Sequence, residues 1–243
     1  MNAGEITPEN KANPPKDPKE KKTHIFKNIL FIAGSVLFVG LLAIGGVLIW
    51  HNIYYRTFFV NGQSMYPTLN EYSADANGNL QGEKGGSSFI GYRVEFGIMD
   101  THENAIDDIC RNNIIVTYYA SDYDGSGQLN SSSSSKIKRV IALPNETFSI
   151  SAEGFLYVGG DLIEDLNIPG VDWTGNKYYA ERTLANDEYF VMGDNRNYSK
   201  DSRTAGPVKK SYIIGKVIAM EGTCTIAAES ECSNKSYHWP RGV

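Results

Sequence analysis

Ile29 to Trp50 reads ILFIAGSVLFVGLLAIGGVLIW, 22 residues without a formal charge. At about 1.5 Å of rise per residue a helix of that length reaches about 33 Å, enough to cross a hydrocarbon core of about 30 Å. A cleavable leader has a shorter apolar region, about 7 to 15 residues, that runs into a small-residue cleavage site. Here the run leads instead into Trp50-His51-Asn52-Ile53-Tyr54-Tyr55. The segment is therefore expected to stay as an anchor, a single transmembrane helix over 26–50. Upstream, residues 1–25 are rich in Lys, Glu, Pro and Asn with almost no large apolar residue, and a disordered tail is expected there. Lys11, Lys16, Lys19, Lys21, Lys22 and Lys27 precede the run, against Arg56 alone close behind it. The positive-inside rule then puts the tail in the cytoplasm and the rest outside. Trp50, Tyr54, Tyr55, Phe58 and Phe59 fall where an aromatic belt belongs, although some of them would also serve in the core of a first strand.

Residues 51–243 should form one extracytoplasmic folded domain. Phe89–Phe96, Ile114–Tyr119, Arg139–Ile141, Thr147–Ile150, Phe155–Val158, Tyr189–Met192 and Tyr212–Met220 carry the β-branched and aromatic bias of strands. No helical periodicity of convincing length appears outside the anchor. The expectation is a mostly β, antiparallel, barrel-like domain behind one N-terminal transmembrane helix. Two stretches, 71–88 and 121–135, are rich in Gly, Asn and Ser and read as mobile surface insertions.

The formal net charge of -5 argues against a nucleic-acid partner, since no basic stripe stands out past residue 60. Four scattered histidines and three cysteines show no metal-ligand spacing, so neither a metal nor another cofactor is expected. Cys224 and Cys232 could close a small loop in an oxidising compartment, or stay as thiols; Cys110 would then be a buried thiol.

Three stretches could carry chemistry. Val60-Asn61-Gly62-Gln63-Ser64-Met65-Tyr66-Pro67-Thr68-Leu69 sets one hydroxyl in tight chain geometry, with a permissive Gly62 and a fixed Pro67. Taken alone it is as readily an ordinary Ser-containing turn. Lys136 to Glu146 reads as a strand entering a Pro-Asn turn, where Asn145 tolerates positive φ. Alternation puts Lys136, Lys138 and Val140 on one face and Ile137, Arg139 and Ile141 on the other. The bland reading of Lys138 is a solvated edge charge. Met192 to Arg203 follows a strand end with a dense run of donors and acceptors that a simple solvated turn explains poorly.

Together these stretches resemble the bacterial type I signal peptidases, membrane-anchored serine proteases with a Ser-Lys dyad. Gly193 to Arg203 matches the family pattern Gly-Asp-Asn-Arg-x-x-Ser-x-Asp-Ser-Arg at every specified position, and Ser64 to Leu69 matches Ser-Met-x-Pro-Thr-Leu. The resemblance implies Ser64 as nucleophile, Lys138 as general base and Ser199 as the hydroxyl that orients the lysine amine. It further implies Asp201 and Arg203, with Arg139, as a salt-bridged support, and Gly193 as a glycine packed close to the lysine. By the same resemblance the protein removes signal peptides from exported precursors at the outer face of the cytoplasmic membrane, after small residues in an Ala-x-Ala pattern. It would act as a monomer whose partners are those precursors and the lipid bilayer. A dedicated Ser-Lys peptidase with one substrate, and a catalytically silent membrane-tethered β module, are the competing readings.

The chain departs from the family pattern at three places. Gly62 offers no hydroxyl to an oxyanion hole, so the Ser64 backbone N–H must carry more of that task. The usual Arg-Gly-Asp becomes Arg111-Asn112-Asn113, and the usual Gly-Leu-Pro-Gly-Asp becomes Ala142-Leu143-Pro144-Asn145-Glu146. Residues 147–190 are few for this family, which leaves room for only a small accessory subdomain.

Overall fold

The computed structural model describes residues 18–70, 93–163, 178–228 and 231–242, and divides the chain into two compact units, Met1–His51 and Asn52–Val243. Helix α1 runs Pro18–Tyr54, so the chain is helical over 18–25, where the tail was expected to be disordered. Pro18 is compatible with a first helical turn, and the lysines after it are good helix formers that extend a helix already nucleated by the apolar run. Within α1, Phe26–Tyr54 is long and apolar enough to cross a membrane, with mean hydropathy 2.5. Its large apolar side chains are exposed, Phe31 at 75% and Val36 at 68%. An apolar surface left exposed along such a helix suits a membrane span.

The second unit is mostly β. Its strands are β1 (Tyr55–Phe59), β2 (Arg93–Asp100), β3 (Ile114–Thr117), β4 (Lys136–Ala142), β5 (Thr147–Ile150), β6 (Leu156–Val158), β7 (Asp161–Leu162), β8 (Tyr179–Thr183), β9 (Glu188–Met192), β10 (Val208–Lys209), β11 (Ile213–Ala228) and β12 (Glu231–Arg241). Short helices α2 (Glu103–Asp107) and α3 (Ser202–Ala205) interrupt them. The main sheet has the order β1-β2-β11-β3-β4-β9-β10, with β12 on β11, and it is antiparallel throughout. β11 is its hub. It pairs β3 with its first residues, β2 along its middle and β12 at its far end, and its register shifts bend it from one partner to the next.

Strands β5 to β8 form a separate four-stranded sheet in the order β7-β6-β5-β8. Phe148, Ile150, Leu156 and Val158 on this sheet share a core with Ile141 and Ala142 of β4 and with Phe190 and Met192 of β9. A second core gathers Phe58, Val60, Met65, Leu69, Met99, Ile114, Val116, Val217 and Met220. Met65 and Leu69 are 1% and 0% exposed, and burying each contributes about 1.5–3 kcal/mol. These two side chains pin the segment that carries Ser64 to the sheet.

Residues 121–135 form a hydrogen-bonded turn rather than a loose insertion. The Asp124 carboxylate accepts from Ser126 N, Ser126 Oγ and Gln128 N at 2.7–2.9 Å, while buried Asp122 receives Lys136 Nζ at 2.7 and 2.9 Å. Asp and Ser build such turns without apolar residues, because their side chains satisfy nearby backbone groups. The other expected insertion, 71–88, lies outside the described residues. Cys224 and Cys232 form a disulfide across β11 and β12, packed with Val94 and Phe96. Cys110 is exposed rather than buried, because it sits in the loop between α2 and β3 instead of on a strand.

Candidate active site

Hydrogen bonding within the sheet makes three distant segments converge. β3 and β4 pair in the register Ile115↔Lys138 and Ile114↔Arg139, and β4 pairs β9 with Arg139↔Met192. Lys138 therefore lies on a central strand, and Gly193 leaves the neighbouring strand beside it. The Ser64 loop meets both. Gly62 takes φ 119°, a conformation that an L side chain rarely adopts, and the Tyr66–Pro67 peptide is cis. Asn195 N donates to Ser64 O at 3.0 Å, and Asn195 Nδ2 donates to Gln63 O at 3.2 Å. The loop is thus tied to the segment after β9 on either side of the serine.

Lys138 Nζ stands 2.7 Å from Ser64 Oγ and also donates to Ile137 O at 2.8 Å. Lys138 is 3% exposed. Burial lowers its pKa from 10.5 to about 8, against the opposing pull of Asp201 and Asp194, with Lys136 and Arg203 adding to the fall. At pH 8 about half of such amines are neutral and can take a proton from the serine hydroxyl. Among the described residues nothing accepts from the Ser64 N–H, which leaves it available to an oxyanion.

Gly193 packs against this pair. A Cβ placed there would collide with Ser199 Oγ, Ser199 Cβ and Ser64 O. Ser199 Oγ is buried and faces Asp201 without a well-formed hydrogen bond to any described residue, and Lys138 Nζ donates to Ser64 and Ile137 rather than to it. The charged residues make two direct ion pairs, Arg203 with Asp201 and Arg139 with Asp194, and buried Arg196 interacts electrostatically with all four. Arg203 donates Nε to Asp201 Oδ1 and Nη2 to Oδ2, both at 2.8 Å, and Oδ2 also accepts Gly193 N at 3.0 Å. Burial raises the Asp201 pKa, but the Arg203 bonds and charge and the Gly193 N–H outweigh it and hold the carboxyl below its ordinary value. Ser199 adds a smaller pull in the same direction. Arg139 instead makes a fork to Asp194, 2.8 Å from Nε and 2.6 Å from Nη2, and donates Nη1 to Asn112 O at 2.8 Å.

Asp194 and Asn195 were given no role on sequence grounds, although both belong to the matching loop pattern. Their signal was position within that pattern; their partners, Arg139 and Gln63, lie 55 and 132 residues away.

The signal peptidase, peptidase S26 family model matches residues 32–220, which include Ser64, Lys138, Arg139, Gly193, Ser199, Asp201 and Arg203. The chain belongs to this family. It is 38% identical over 85 residues to signal peptidase I of Leptolyngbya laminosa, which is 34% of this chain and 38% of that relative. Signal peptidase I V of Bacillus subtilis is 36% identical over 92 residues, 33% of this chain and 54% of the relative. Over these closer matches the chain spans about half the relatives' length or less. A longer and weaker match, 26% over 205 residues, covers 81% of this chain and 90% of signal peptidase I of Bacillus amyloliquefaciens. A solved signal peptidase I from Enterococcus faecalis is 26% identical and covers 44% of this chain and 95% of its own, with TM-score 0.34.

The buried amine has a measurable consequence for folding. The Lys138 pKa is depressed in the folded state, so the unfolded chain binds the extra proton. The penalty is complete below about pH 8, shrinks between 8 and 10.5, and vanishes above. In this family member Lys138→Met should therefore raise unfolding free energy at pH 7 by up to about 3 kcal/mol. Urea unfolding in detergent should show that gain disappearing as pH approaches 11.

Proposed function

We propose that this protein is a membrane-anchored serine endopeptidase that removes signal peptides from exported precursors, with Ser64 as nucleophile and Lys138 as general base. The observation that carries the reading is the 2.7 Å separation of Lys138 Nζ from Ser64 Oγ inside a buried site. Neutral Lys138 takes the Ser64 proton as Oγ attacks the scissile carbonyl, and the Ser64 N–H holds the oxyanion. The lysine ammonium returns its proton to the departing amine. Water then enters, Lys138 takes one of its protons as its oxygen bonds to the acyl carbon, and the ester bond to Ser64 Oγ breaks as Lys138 returns the proton to that oxygen, leaving the free acid and the starting enzyme. No histidine takes part. Asp201–Arg203 and Asp194–Arg139 hold the walls of the site, and Ser199 fills the space beside Gly193.

The lysine-rich segment stays in the cytoplasm, the apolar helix spans the cytoplasmic membrane and the β unit works outside as a monomer. Tethering raises the effective concentration of enzyme at the surface where cleavage regions emerge. Family resemblance supports small residues at the two specificity positions before the cut.

The test is cleavage of an Ala-x-Ala precursor by the full chain in detergent, beside Ser64→Ala. Wild type should cut after the second alanine and the variant should not; a wild type that leaves the precursor whole sinks the proposal and favours the silent binding module. The pH profile of kcat/KM supplies a second check. Below pH 8 the lysine is mostly protonated, so the rate should rise about tenfold per pH unit and level off above an apparent pKa of about 8. A profile flat from pH 6 to 9 would exclude a deprotonated lysine base.

A further inference from the structure

The loop that carries Ser64 is braced from a part of the chain beyond residue 220, where the family match stops. Asn70, at φ 63°, turns its side chain back along the loop and donates to Val60 O at 2.7 Å and Gly62 O at 2.8 Å. Its Oδ1 accepts from Glu95 N at 2.8 Å, and its own N–H donates to Glu95 Oε2 at 2.6 Å. Glu95 is completely buried. Its remaining oxygen, Oε1, accepts from Arg241 Nη2 at 2.7 Å, and the same Nη2 donates to Thr68 O at 3.1 Å. Arg241 ends β12, paired with Met220 of β11, and the Cys224–Cys232 disulfide staples the two strands.

We propose that Arg241 is a positioning residue for the Ser64 loop, delivered by the disulfide-stapled hairpin of β11 and β12. The proposal rests on the reading of Ser64 as nucleophile. Without Arg241, Glu95 becomes a buried charge with no cation paired to it among the described residues, a costly state that relaxes by drawing in water and shifting its partners. The nearest partner is Asn70, and through it the carbonyls of Val60 and Gly62, which lead directly into Gln63 and Ser64. Met65, Leu69 and the Asn195 bond still hold the other side of the loop. The serine is therefore misplaced rather than released, and the damage falls on the chemical step.

The experiment uses the full chain in detergent with an Ala-x-Ala precursor, together with amide hydrogen exchange. Arg241→Ala should lower kcat about tenfold, with KM held within about twofold and the apparent pKa of the ascending limb unmoved. Exchange at the Asn70 amide should accelerate while β4 and β9 keep their protection. Arg241→Lys should recover part of kcat, because one ammonium can meet Glu95 or Thr68 O. Glu95→Gln in the Arg241→Ala chain should also recover kcat, because no charge is then stranded. Reduction of the disulfide should lower kcat of the wild type in the same direction, and Cys224→Ser/Cys232→Ser should sit at that lower level with or without reductant. If Arg241→Ala fails to fold, Arg241→Lys and the reduction experiment decide. Unchanged kcat and unchanged Asn70 exchange in the variants that fold would overturn the proposal, as would a shifted pH limb, which would mean that Arg241 acts on Lys138 instead. An inactive wild type defeats the peptidase reading, and Asn70 exchange then decides the brace alone.

Discussion

Lys138→Ala should lower kcat/KM for an Ala-x-Ala precursor by about a thousandfold or more, and Ser64→Ala should fall to the same floor. Nucleophile and base act as one unit, so the double variant should be no worse than either single one. Free-energy additivity between them would mean that they perform separate tasks. Lys138→Arg should not rescue, because a guanidinium keeps its proton in a protein and cannot act as the base. The loss is to be read from single-turnover cleavage, with circular dichroism confirming that the strands remain. If Lys138→Ala kept more than about a tenth of the wild-type rate, some other group would be removing the serine proton.

Gly193→Ala should be the second most damaging change. The added methyl meets Ser199 and, more seriously, the carbonyl oxygen of Ser64 itself. Something must shift, and backbone on the nucleophile side is among the contacts. A displacement of about 1 Å at a reacting atom costs about a hundredfold in rate, and overpacking of this kind costs about 1–3 kcal/mol of stability. Adding Ser199→Gly clears two of the three contacts but leaves the Ser64 carbonyl, so activity should return only in part. Rate and thermal melting of both variants check this. A Gly193→Ala enzyme within twofold of wild type would mean that the close approach is not needed.

The apolar helix, the β class and the three converging segments were legible because each leaves a local trace. An uncharged apolar run of helical span, a β-branched bias and a dense pattern of polar residues can all be read without knowing what they touch. The two Asn-for-Gly substitutions also resolve in physical terms. Asn112 and Asn145 both hold positive φ, at 73° and 66°, in places where the family pattern has glycine, and Asn is the residue that best tolerates such backbone. Glu146, in place of the usual Asp, accepts from Leu143 N at 2.6 Å and from Arg111 Nη2 at 2.6 Å.

The features that were not legible are those that depend on pairing across the chain. The resemblance joins Arg139 to Asp201 and Arg203 and gives Asp194 no partner, and only the register of β4 on β9 puts Arg139 and Asp194 in one buried fork. β12 contains Cys232, Ser233, Asn234, Lys235, Ser236, His238 and Pro240, and no run of β-branched residues. It is a strand because the disulfide and the end of β11 hold it there, and as an edge strand it can include a proline. Tyr179–Thr183 was passed over for a similar reason, since it alternates too little to stand out until it pairs with β5.

The 74-residue gap between Ser64 and Lys138 also bears on biosynthesis. A chain still emerging from the ribosome carries its serine long before its lysine, and the loop that ties Gln63 and Ser64 in place comes later again. Contacts this far apart form late in folding, because the intervening chain must first be ordered. With Ser64 and Lys138 acting as proposed, a partly made copy is chemically idle, because its serine hydroxyl has no base until β4 has joined the sheet.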